Sequence, residues 1–566
     1  MPTIAGRSPA PALVVVLLAA LSTGCASRAV PRVAGGPSDL DAYLTAREQL
    51  VAQERALRVG ADLVLSPTEM EADRRLRLLC EEEKERTGAD FPPAHSFLEA
   101  KTRQLIEGSP VLAAMKRLPK GGILHGHGEA VGDFRWLVGQ VVARSDTYMY
   151  VGESGPQPRG TLRIFATAPG AGWESVASLR AAAGDAAAFD ESVYRALTLG
   201  SEDLASPDIW AEFGNCFRRS FALFDDDPTL EAAFWRRMLD SLIDENVQYL
   251  ESRSWPAGGD DLLGAARRRD PDFDVKFIPS AGRSADHRRV AEVLDRVLAA
   301  REHDPDRVVG FDLVENEDRT HSNLYFAEEL LAARREAVRL GTDLPLYLHS
   351  GESNSAENEN LYDALLLGTR RIGHGLALVR HPLLMQMVKE RGIAIEVCPI
   401  SNQVLGYVAD LRTHPAATYV AAGLPVVLAP DDPGLMRESL SHDYYEAFMA
   451  WGLDLRALKQ IAMNSLAYSA MTPDEKRHAL AVWHGRWDAF VQWLSTAALG
   501  DAPSTAAALG HAPRDLGRAR RVLAQAEGVE HLVDERVGAL AVGEPAEARP
   551  AHEHRGPPGG EGGRSR

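Results

Sequence analysis

The chain has 566 residues, of which 45% are hydrophobic, so it can fill one large core. Its 62 Lys and Arg residues against 80 Asp and Glu residues give a formal net charge of −18, which disfavours nucleic acid and anionic membrane surfaces as partners. Four cysteines are too few for a disulfide scaffold at this length. Cys80 and Cys216 could pair in an oxidising compartment, whereas Cys398 lies in an apolar run and is expected to be buried.

The N-terminus has the pattern of an export signal. Residues 12–21 form an apolar run of signal-peptide length that is too short to span a bilayer. The Gly24-Cys25 pair that follows resembles a bacterial lipoprotein cleavage site, at which Cys25 would carry acyl chains that anchor the protein. Ser22 stands where such sites usually have Leu, so secretion with ordinary cleavage remains an alternative. Residues 1–25 are thus predicted to direct export to the periplasm, the outer membrane or the cell exterior.

Composition and hydrophobic patterning divide the rest of the chain. We predict a Pro/Gly/Ser tether over residues 26–38, a helical extension over 39–118 and a catalytic domain over 119–499. An insertion at 136–199 separates the first two strands of that domain, where a simple connection would be much shorter. Residues 500–566 are rich in Ala, Gly, Pro and charge and are predicted to be disordered.

Between residues 121 and 433, short apolar runs alternate with helical patterns. The predicted strands cover residues 123–128, 247–252, 275–279, 308–314, 346–350, 371–375, 393–399 and 425–429. Apolar strands that alternate with helices are typical of a parallel sheet in an α/β protein. Eight repeats predict a closed (β/α)8 barrel, the TIM-barrel fold, and an open α/β sheet is the alternative.

Polar residues follow four of these strands, at the strand ends where such barrels place their active sites. They are His125 and His127, His349 with Glu352, His374, and Asp431 with Asp432. Because alternate residues of a strand share a face, His125 and His127 both point into the barrel. Three imidazoles and one carboxylate suit Zn²⁺ with room for a water, and the remaining side chains could act beside it. The sequence therefore predicts a metal-dependent hydrolase.

With these motifs, the chain resembles the adenosine deaminase family, and most of all its secreted branch, the adenosine deaminase-related growth factors. The resemblance covers residues 95–495. The matching motifs are PKGGILHGH at 119–127, NVQYLESR at 246–253, GFDL at 310–313, HSGE at 349–352, DALLLGTRRIGHGLAL at 363–378, SHDYYEAFM at 441–449 and LKQIAMNSLAYS at 458–469. It implies hydrolytic deamination of a purine nucleoside, adenosine or a related aminated purine, with release of ammonia.

The resemblance also implies residue roles. The zinc ligands of the family match His125, His127, His349 and Asp431. We expect one Zn²⁺ per chain, because no obvious bridging Lys stands at the fourth strand. The positions matching Glu352, His374 and Asp432 act on the purine. A neutral Glu352 could protonate a ring nitrogen, His374 could orient or deprotonate the attacking water, and Asp432 could accept or share a proton with a second ring nitrogen.

Two positions depart from the family pattern. Glu129 stands where the family usually has an Asp that holds a sugar hydroxyl. Glu315 stands where the family has a Gly that lets the backbone approach the purine ring. Both residues are therefore expected to bind the substrate. Because they differ from the family pattern, the sequence does not determine which purine is the substrate.

Alternatives remain at the level of assembly and of function. In the growth-factor branch the helical extension helps to form a homodimer, whereas the alternative is a helical cap on the barrel. A surface-displayed nucleoside-binding or signalling protein without turnover is one alternative function, and an amidohydrolase acting on an amide or carbamate is another. The intact set of Glu352, His374 and Asp432 favours the deaminase. No nucleic acid is expected as a partner, and a membrane is expected only through the lipid anchor.

Overall fold

A computed structural model of the chain describes residues 39–152, 161–254, 256 and 258–496. The predicted export signal with Cys25, the tether and the tail lie outside the described residues. In the part of the chain that the structure describes, no helix is both long enough and apolar enough to cross a membrane.

The chain forms two compact units, and the first ends at Leu57. Its described part contains the helix α1, Leu40–Arg55. The Asp39 side chain accepts a hydrogen bond from the backbone N–H of Ala42 at 2.9 Å, which satisfies one amide of the first turn. No residue of α1 is buried. The second unit begins at Arg58 and contains the remaining elements.

Strands and helices alternate through most of the second unit. The strands are β1 Gly121–Gly126, β2 Thr147–Tyr150, β3 Leu162–Ile164, β4 Trp173–Ser175, β5 Val247–Ser252, β6 Asp274–Phe277, β7 Ser280–Gly282, β8 Asp312–Val314, β9 Tyr347–Ser350, β10 Arg371–His374, β11 Ala394–Val397 and β12 Val426–Leu428. The helices are α2 Pro67–Thr87, α3 Ala100–Glu107, α4 Pro110–Arg117, α5 Phe134–Ala143, α6 Val176–Ala182, α7 Ala186–Leu197, α8 Ile209–Asp226, α9 Pro228–Asp244, α10 Gly259–Arg267, α11 His287–His303, α12 Ala327–Arg339, α13 Asn360–Leu367, α14 Pro382–Arg391, α15 Pro399–Val404, α16 Ala416–Ala421, α17 Pro433–Met436, α18 Leu440–Trp451, α19 Leu455–Ala467 and α20 Pro473–Thr496.

Parallel pairing closes most of these strands into a barrel. One group runs β1-β5-β6, a second pairs β7 with β8, and a third runs β9-β10-β11-β12. Isolated parallel bridges join the groups into a ring, and they pair Phe277 with Val308, Phe311 with Leu346, and Gly126 with Asp431. Every residue of β1, β5 and β9 through β12 is buried, as is typical of the parallel strands of an α/β barrel. The predicted (β/α)8 barrel is confirmed, and the open sheet is wrong.

A small antiparallel sheet lies between the first two barrel strands in the sequence. β2 is its central strand and pairs with β3 on one side and β4 on the other. Met149 of β2 and Leu162 of β3 are buried, and α6 and α7 follow. These elements fall within the insertion predicted at residues 136–199, and its treatment as a separate subdomain stays a prediction.

One buried carboxylate connects α2 to the C-terminal helices. Glu69 Oε1 accepts hydrogen bonds from Lys459 Nζ at 2.6 Å and from Trp487 Nε1 at 2.8 Å. Glu69 also closes a capping box with Ser66 at the start of α2. Burial alone would raise the pKa of Glu69, but these hydrogen bonds lower it to about 2. The ionised carboxylate therefore stabilises the packing of α2 against α19 and α20.

The described cysteines are all buried. Among the described residues, no disulfide joins Cys80, Cys216 and Cys398 to one another. The structure thus gives no support to the pairing considered for Cys80 and Cys216. Cys398 is fully buried next to β11, as its apolar surroundings predict, and burial raises the pKa of its thiol well above the usual value.

Candidate active site

Four side chains converge at the carboxyl ends of the barrel strands. One ligand atom from each of His125, His127, His349 and Asp431 lies within 4.8 Å of the others. His127 Nε2 lies 3.0 Å and His125 Nε2 lies 3.3 Å from Asp431 Oδ1, and these two nitrogens are 3.3 Å apart. Asp431 Oδ1 is nevertheless buried without an aligned hydrogen-bond donor in the described region. This donor set fits Zn²⁺, which takes imidazole nitrogens and a carboxylate oxygen in a tetrahedral site.

The backbone is strained where two site residues emerge. His374, the last residue of β10, has φ 58°, and Asp431, shortly after β12, has φ 62°. Left-handed backbone costs a residue with a Cβ about 1–2 kcal/mol, and such strain clusters at functional sites. Ser401 Oγ donates to Asp431 Oδ2 at 2.7 Å and holds the turned carboxylate. The turn therefore places Asp431 beside His125 and His127.

Two buried carboxylates orient two of the imidazoles. His125 Nδ1 lies 2.7 Å from Glu396 Oε2, and His349 Nδ1 lies 2.8 Å from Asp312 Oδ2. Burial alone would raise the pKa of Asp312, but His349 and Arg253 hold it well below its usual value. Arg253 is 3.2 Å from each of the two carboxylates. Because ionised carboxylates only accept hydrogen bonds, both Nδ1 atoms donate, which leaves the Nε2 lone pairs for a metal.

Three titratable groups beside this cluster have shifted pKa values. Burial first, and then the charge of Asp431, raise the pKa of Glu352 and of Asp432 well above the usual range. Burial lowers the pKa of His374 well below its usual value. Glu352 Oε1 and Asp432 Oδ1 are buried with no partner in the described chain, so each is available to a bound molecule. Two carboxyl groups with raised pKa values and an imidazole with a lowered pKa therefore lie beside the four metal-ligand candidates, an arrangement suited to proton delivery.

The chain matches known proteins along most of its length. It matches the family described as adenosine deaminase over residues 264–482, and the adenosine/AMP deaminase N-terminal family over residues 36–114. It is 35% identical over 491 residues to adenosine deaminase 2 of Sus scrofa, with 79% of this chain and 94% of that protein covered. The chain belongs to the adenosine deaminase family. It is therefore a hydrolytic deaminase, and the predicted resemblance and enzyme class are confirmed.

A second curated relative agrees with this assignment. This family member is 33% identical over 492 residues to adenosine deaminase 2 of Homo sapiens, with 80% of this chain and 93% of that protein covered. Among solved structures, it aligns with an adenine deaminase from Arthrobacter aurescens at a TM-score of 0.46 and 19% identity, which covers 67% of this chain and 100% of that one.

In this deaminase, Glu317 holds the loop that carries Glu352. Its Oε1 accepts a hydrogen bond from the backbone N–H of Glu352 at 2.8 Å, and its Oε2 accepts from the N–H of Gly351 at 3.0 Å. Asn360 Nδ2 also donates to Oε2, at 2.6 Å. Glu317 is 5% exposed, and its charge adds to the rise in the pKa of Glu352. It therefore places Glu352 and favours its neutral form.

Glu129 lies two residues beyond His127 and is bound to neighbouring side chains. Trp235 Nε1 donates to Glu129 Oε1 at 2.8 Å, and Ser254 Oγ donates to Oε2 at 3.1 Å. Burial and then Glu129 raise the pKa of the nearby Glu231 to about 7. The structure thus places Glu129 in a hydrogen-bonded group next to the metal-ligand candidates.

Glu315 directs its side chain back onto the preceding loop. It has φ 88° and is exposed, and its Oε2 accepts a hydrogen bond from the backbone N–H of Ser284 at 2.7 Å. A Cβ on Gly282 would lie only 2.4 Å from Glu315 Oε1, so the glycine makes room for this carboxylate. The position thus keeps a glycine-like backbone while its carboxylate contacts the loop after β7.

The predicted site residues fall into two groups. His125, His127, His349, Asp431, Glu352, His374 and Asp432 come together in one buried cluster. Glu129 and Glu315 lie on loops that follow β1 and β8. The sequence analysis did not identify Arg253, Asp312, Glu396 or Glu317. Arg253, Asp312 and Glu396 are charged residues on or directly after buried barrel strands, a signal that could have identified them.

Proposed function

We propose that this deaminase hydrolyses the exocyclic amine of a purine nucleoside, adenosine or a related aminated purine, and uses one Zn²⁺ per chain. The observation that carries the proposal is geometric: Glu352 Oε1 and Asp432 Oδ1, which are buried without a hydrogen-bond partner among the described residues, lie beside three converging imidazoles and Asp431. Burial raises the pKa of both carboxyl groups, which favours their neutral form. Proton delivery to a ring nitrogen requires a carboxyl group that is neutral at the moment of attack.

The metal would be held by His125, His127, His349 and Asp431. A bound Zn²⁺ lowers the pKa of a water to about 7 and so supplies a nucleophile at neutral pH. His125 and His349 are suited to this role because Glu396 and Asp312 orient their rings.

The remaining residues move protons and hold the purine. Glu352 donates its proton to a ring nitrogen as the adjacent carbon gains the oxygen of the attacking water. Asp432 shares a proton with a second ring nitrogen, because its buried Oδ1 has no other partner in the described residues. His374 would position the attacking water, because its Nε2 lies 4.0 Å from Oδ2 of the metal-ligand candidate Asp431. One proton of the water passes to the leaving amine, which departs as ammonia when the carbon–nitrogen bond breaks, and the other restores the neutral Glu352.

Glu129 and Glu315 are proposed to set the specificity. The Glu129 carboxylate, with Trp235 and Ser254 beside it, offers acceptors for a sugar hydroxyl. Glu315 follows β8 with a glycine-like backbone, and its carboxylate accepts a hydrogen bond from the N–H of Ser284, so its own backbone N–H would donate to a purine edge. Together these residues favour a neutral nucleoside over a phosphorylated one, since added anionic charge would meet two carboxylates.

Ammonia release by the zinc-loaded protein tests the proposal. The panel would contain adenosine, adenine, guanosine and an aminated pterin, with zinc content measured on the same preparation. We expect turnover of at least one purine nucleoside and loss of that turnover after chelation. Folded protein that contains zinc and releases no ammonia from any compound would contradict the proposal and favour a binding protein.

Export is proposed from residues 1–25, with Cys25 as a lipid-modified first residue of the mature chain. The Cys25→Ala variant should leave the membrane fraction, because it loses the acylated thiol. Membrane association that is unchanged in this variant would contradict lipidation, while cleavage at another residue with release into the medium would support ordinary secretion.

A homodimer through the helical extension is also proposed. Leu40, Tyr43, Leu44 and Leu50 of α1 are exposed large hydrophobic residues. Apolar residues on a helix without buried positions are typical of a surface that packs against another chain. Replacing Leu44 and Leu50 with Asp should convert a dimer to a monomer in sedimentation velocity. A wild-type chain that sediments as a monomer at micromolar concentration would contradict this assembly.

A further inference from the structure

We propose that Asn402 and His414 are positioning residues that keep the proton of His374 on Nε2, so that this ring donates a hydrogen bond to the attacking water and cannot deprotonate it. The inference rests on the proposed function and decides between the two roles that the sequence leaves open for His374. It follows from a chain of hydrogen bonds that begins at a backbone amide.

The first link fixes the tautomer of His414. The backbone N–H of Ala416 lies 3.0 Å from His414 Nδ1, and a backbone N–H can only donate. His414 Nδ1 is therefore an acceptor and carries no proton. His414 is 2% exposed, and burial lowers its pKa to about 3, so the ring is neutral. Its single proton lies on Nε2.

The second link fixes the orientation of the Asn402 amide. His414 Nε2 lies 3.1 Å from Asn402 Oδ1, so its N–H donates to that oxygen. The reverse orientation would place the amide nitrogen against an N–H group, with no acceptor between two donors. Asn402 is fully buried on α15, so bulk solvent does not reach the amide to offer another partner. The assignment of oxygen and nitrogen therefore follows from the hydrogen bonds themselves.

The third link fixes the tautomer of His374. Asn402 Nδ2 lies 3.1 Å from His374 Nδ1 and donates to it. Glu352 Oε1 is 3.6 Å from the same nitrogen, which is longer than a hydrogen bond, so it does not compete. The neutral His374 ring therefore has its lone pair on Nδ1 and its proton on Nε2.

His374 Nε2 is directed at the metal-ligand cluster. It lies 4.0 Å from Asp431 Oδ2, and its ring centroid is 4.8 Å from that of His125. A nitrogen that already carries a proton can orient a water oxygen through its N–H, but it has no lone pair with which to remove a proton. The lone pair on Nδ1 is occupied by Asn402. His374 consequently orients the water, and its left-handed backbone places the ring for that contact.

Nitrogen-15 NMR of the full-length, zinc-loaded protein with labelled histidine tests this inference. The chain has 17 His residues, so the His374 signals are assigned by their loss in His374→Gln, or in His374→Asn if the first variant does not fold. We expect a protonated Nε2 and an unprotonated Nδ1 for His374. A proton on Nδ1, or protons on both nitrogens, would overturn the proposal.

Substitution of Asn402 provides a second measurement. The carboxylate of Asn402→Asp can only accept, so it draws the His374 proton to Nδ1 and reverses the tautomer signature. Because the reversed ring no longer donates to the water, kcat should fall about 10²–10⁴-fold while KM changes little. Asn354→Asp is the control, since the Asn354 amide donates to the carbonyl of Tyr407 and not to His374. It adds the same charge and should leave the signature unchanged.

The outcomes separate this inference from the proposed function. If the wild-type protein turns over a purine nucleoside but His374 has its proton on Nδ1, only the inference about Asn402 and His414 fails. If the tautomer is as expected but no compound releases ammonia, the proposed function fails. A wild-type signature and full kcat in Asn402→Asp would overturn the positioning role. If Asn402→Asp does not fold, the wild-type spectrum alone decides.

Discussion

Replacing Glu317 with Gln is expected to slow the reaction without loss of the metal. The Glu317 carboxylate accepts hydrogen bonds from the N–H groups of Gly351 and Glu352 and from the Asn360 amide. Gln offers a single oxygen and presents an NH₂ group to one of these donors. A buried donor without an acceptor costs about 1–3 kcal/mol. About 1.4 kcal/mol corresponds to a factor of ten in rate. If the cost of the unpaired donor raises the free energy of the transition state, kcat should therefore fall by about 5- to 150-fold.

The assay is ammonia release together with zinc analysis on the same preparations. Glu357→Gln is the matched control, because Glu357 lies in the loop that carries Glu352, is exposed, and accepts a hydrogen bond from the side chain of Ser355. We expect the control to keep the wild-type kcat. Zinc content should be unchanged in both variants, since neither residue is among the four metal-ligand candidates.

A double-mutant cycle shows whether Glu317 acts through Glu352. In a Glu352→Gln background the proton that Glu317 helps to place is already absent, so the second substitution should add little. Losses that multiply, or a Glu317→Gln enzyme with full kcat, would refute the reasoning. The first result would mean that Glu317 supports the loop without acting on Glu352.

Three further predictions follow from other parts of the molecule. Glu352→Gln should keep zinc and fold while kcat falls about 10²–10⁴-fold, whereas His349→Ala should lose zinc and activity together; full turnover by the first variant would contradict its role. Glu315→Gly removes left-handed strain of about 1–2 kcal/mol, so denaturant titration should show a gain in stability, and kcat/KM for adenosine should rise relative to the natural substrate. A fall would mean that the Glu315 side chain is part of the pocket. Glu69 has a pKa of about 2 in the folded protein, below its unfolded value, so its stabilisation is complete above about pH 4.5 and is lost as pH falls toward 2. At pH 7 Glu69→Gln should therefore lower the free energy of unfolding by about 1–3 kcal/mol, and a difference that persists unchanged below about pH 3 would contradict this origin.

The barrel could be predicted from the sequence because its signals are local. Each strand is a short apolar run, and its burial on both faces removes the alternation that would have obscured it. The metal-ligand candidates were predicted for the same reason, since His125, His349 and Asp431 stand directly at strand ends. The fold rule then places these ends together without any knowledge of side-chain contacts.

The supporting residues could not be assigned because their contacts are not local. Glu396 hydrogen-bonds to His125 across 271 positions of sequence. The raised pKa of Glu352 depends on burial and on three carboxylates from other loops, and neither is visible in the HSGE motif. At position 315 the sequence shows only that a charged Glu stands where the family has a Gly. Only the structure shows that this carboxylate turns toward Ser284.

The bridge between Gly126 and Asp431 closes the barrel, because it joins the first and last strands of the ring. The candidate ligands His125, His127 and Asp431 lie on either side of this bridge. An ion held by these residues, as proposed, would connect the two ends of the barrel. Because such an ion binds the folded site and not the unfolded chain, it would stabilise the fold as well as support the chemistry. Depletion of metal would then shorten the lifetime of the protein as well as its activity.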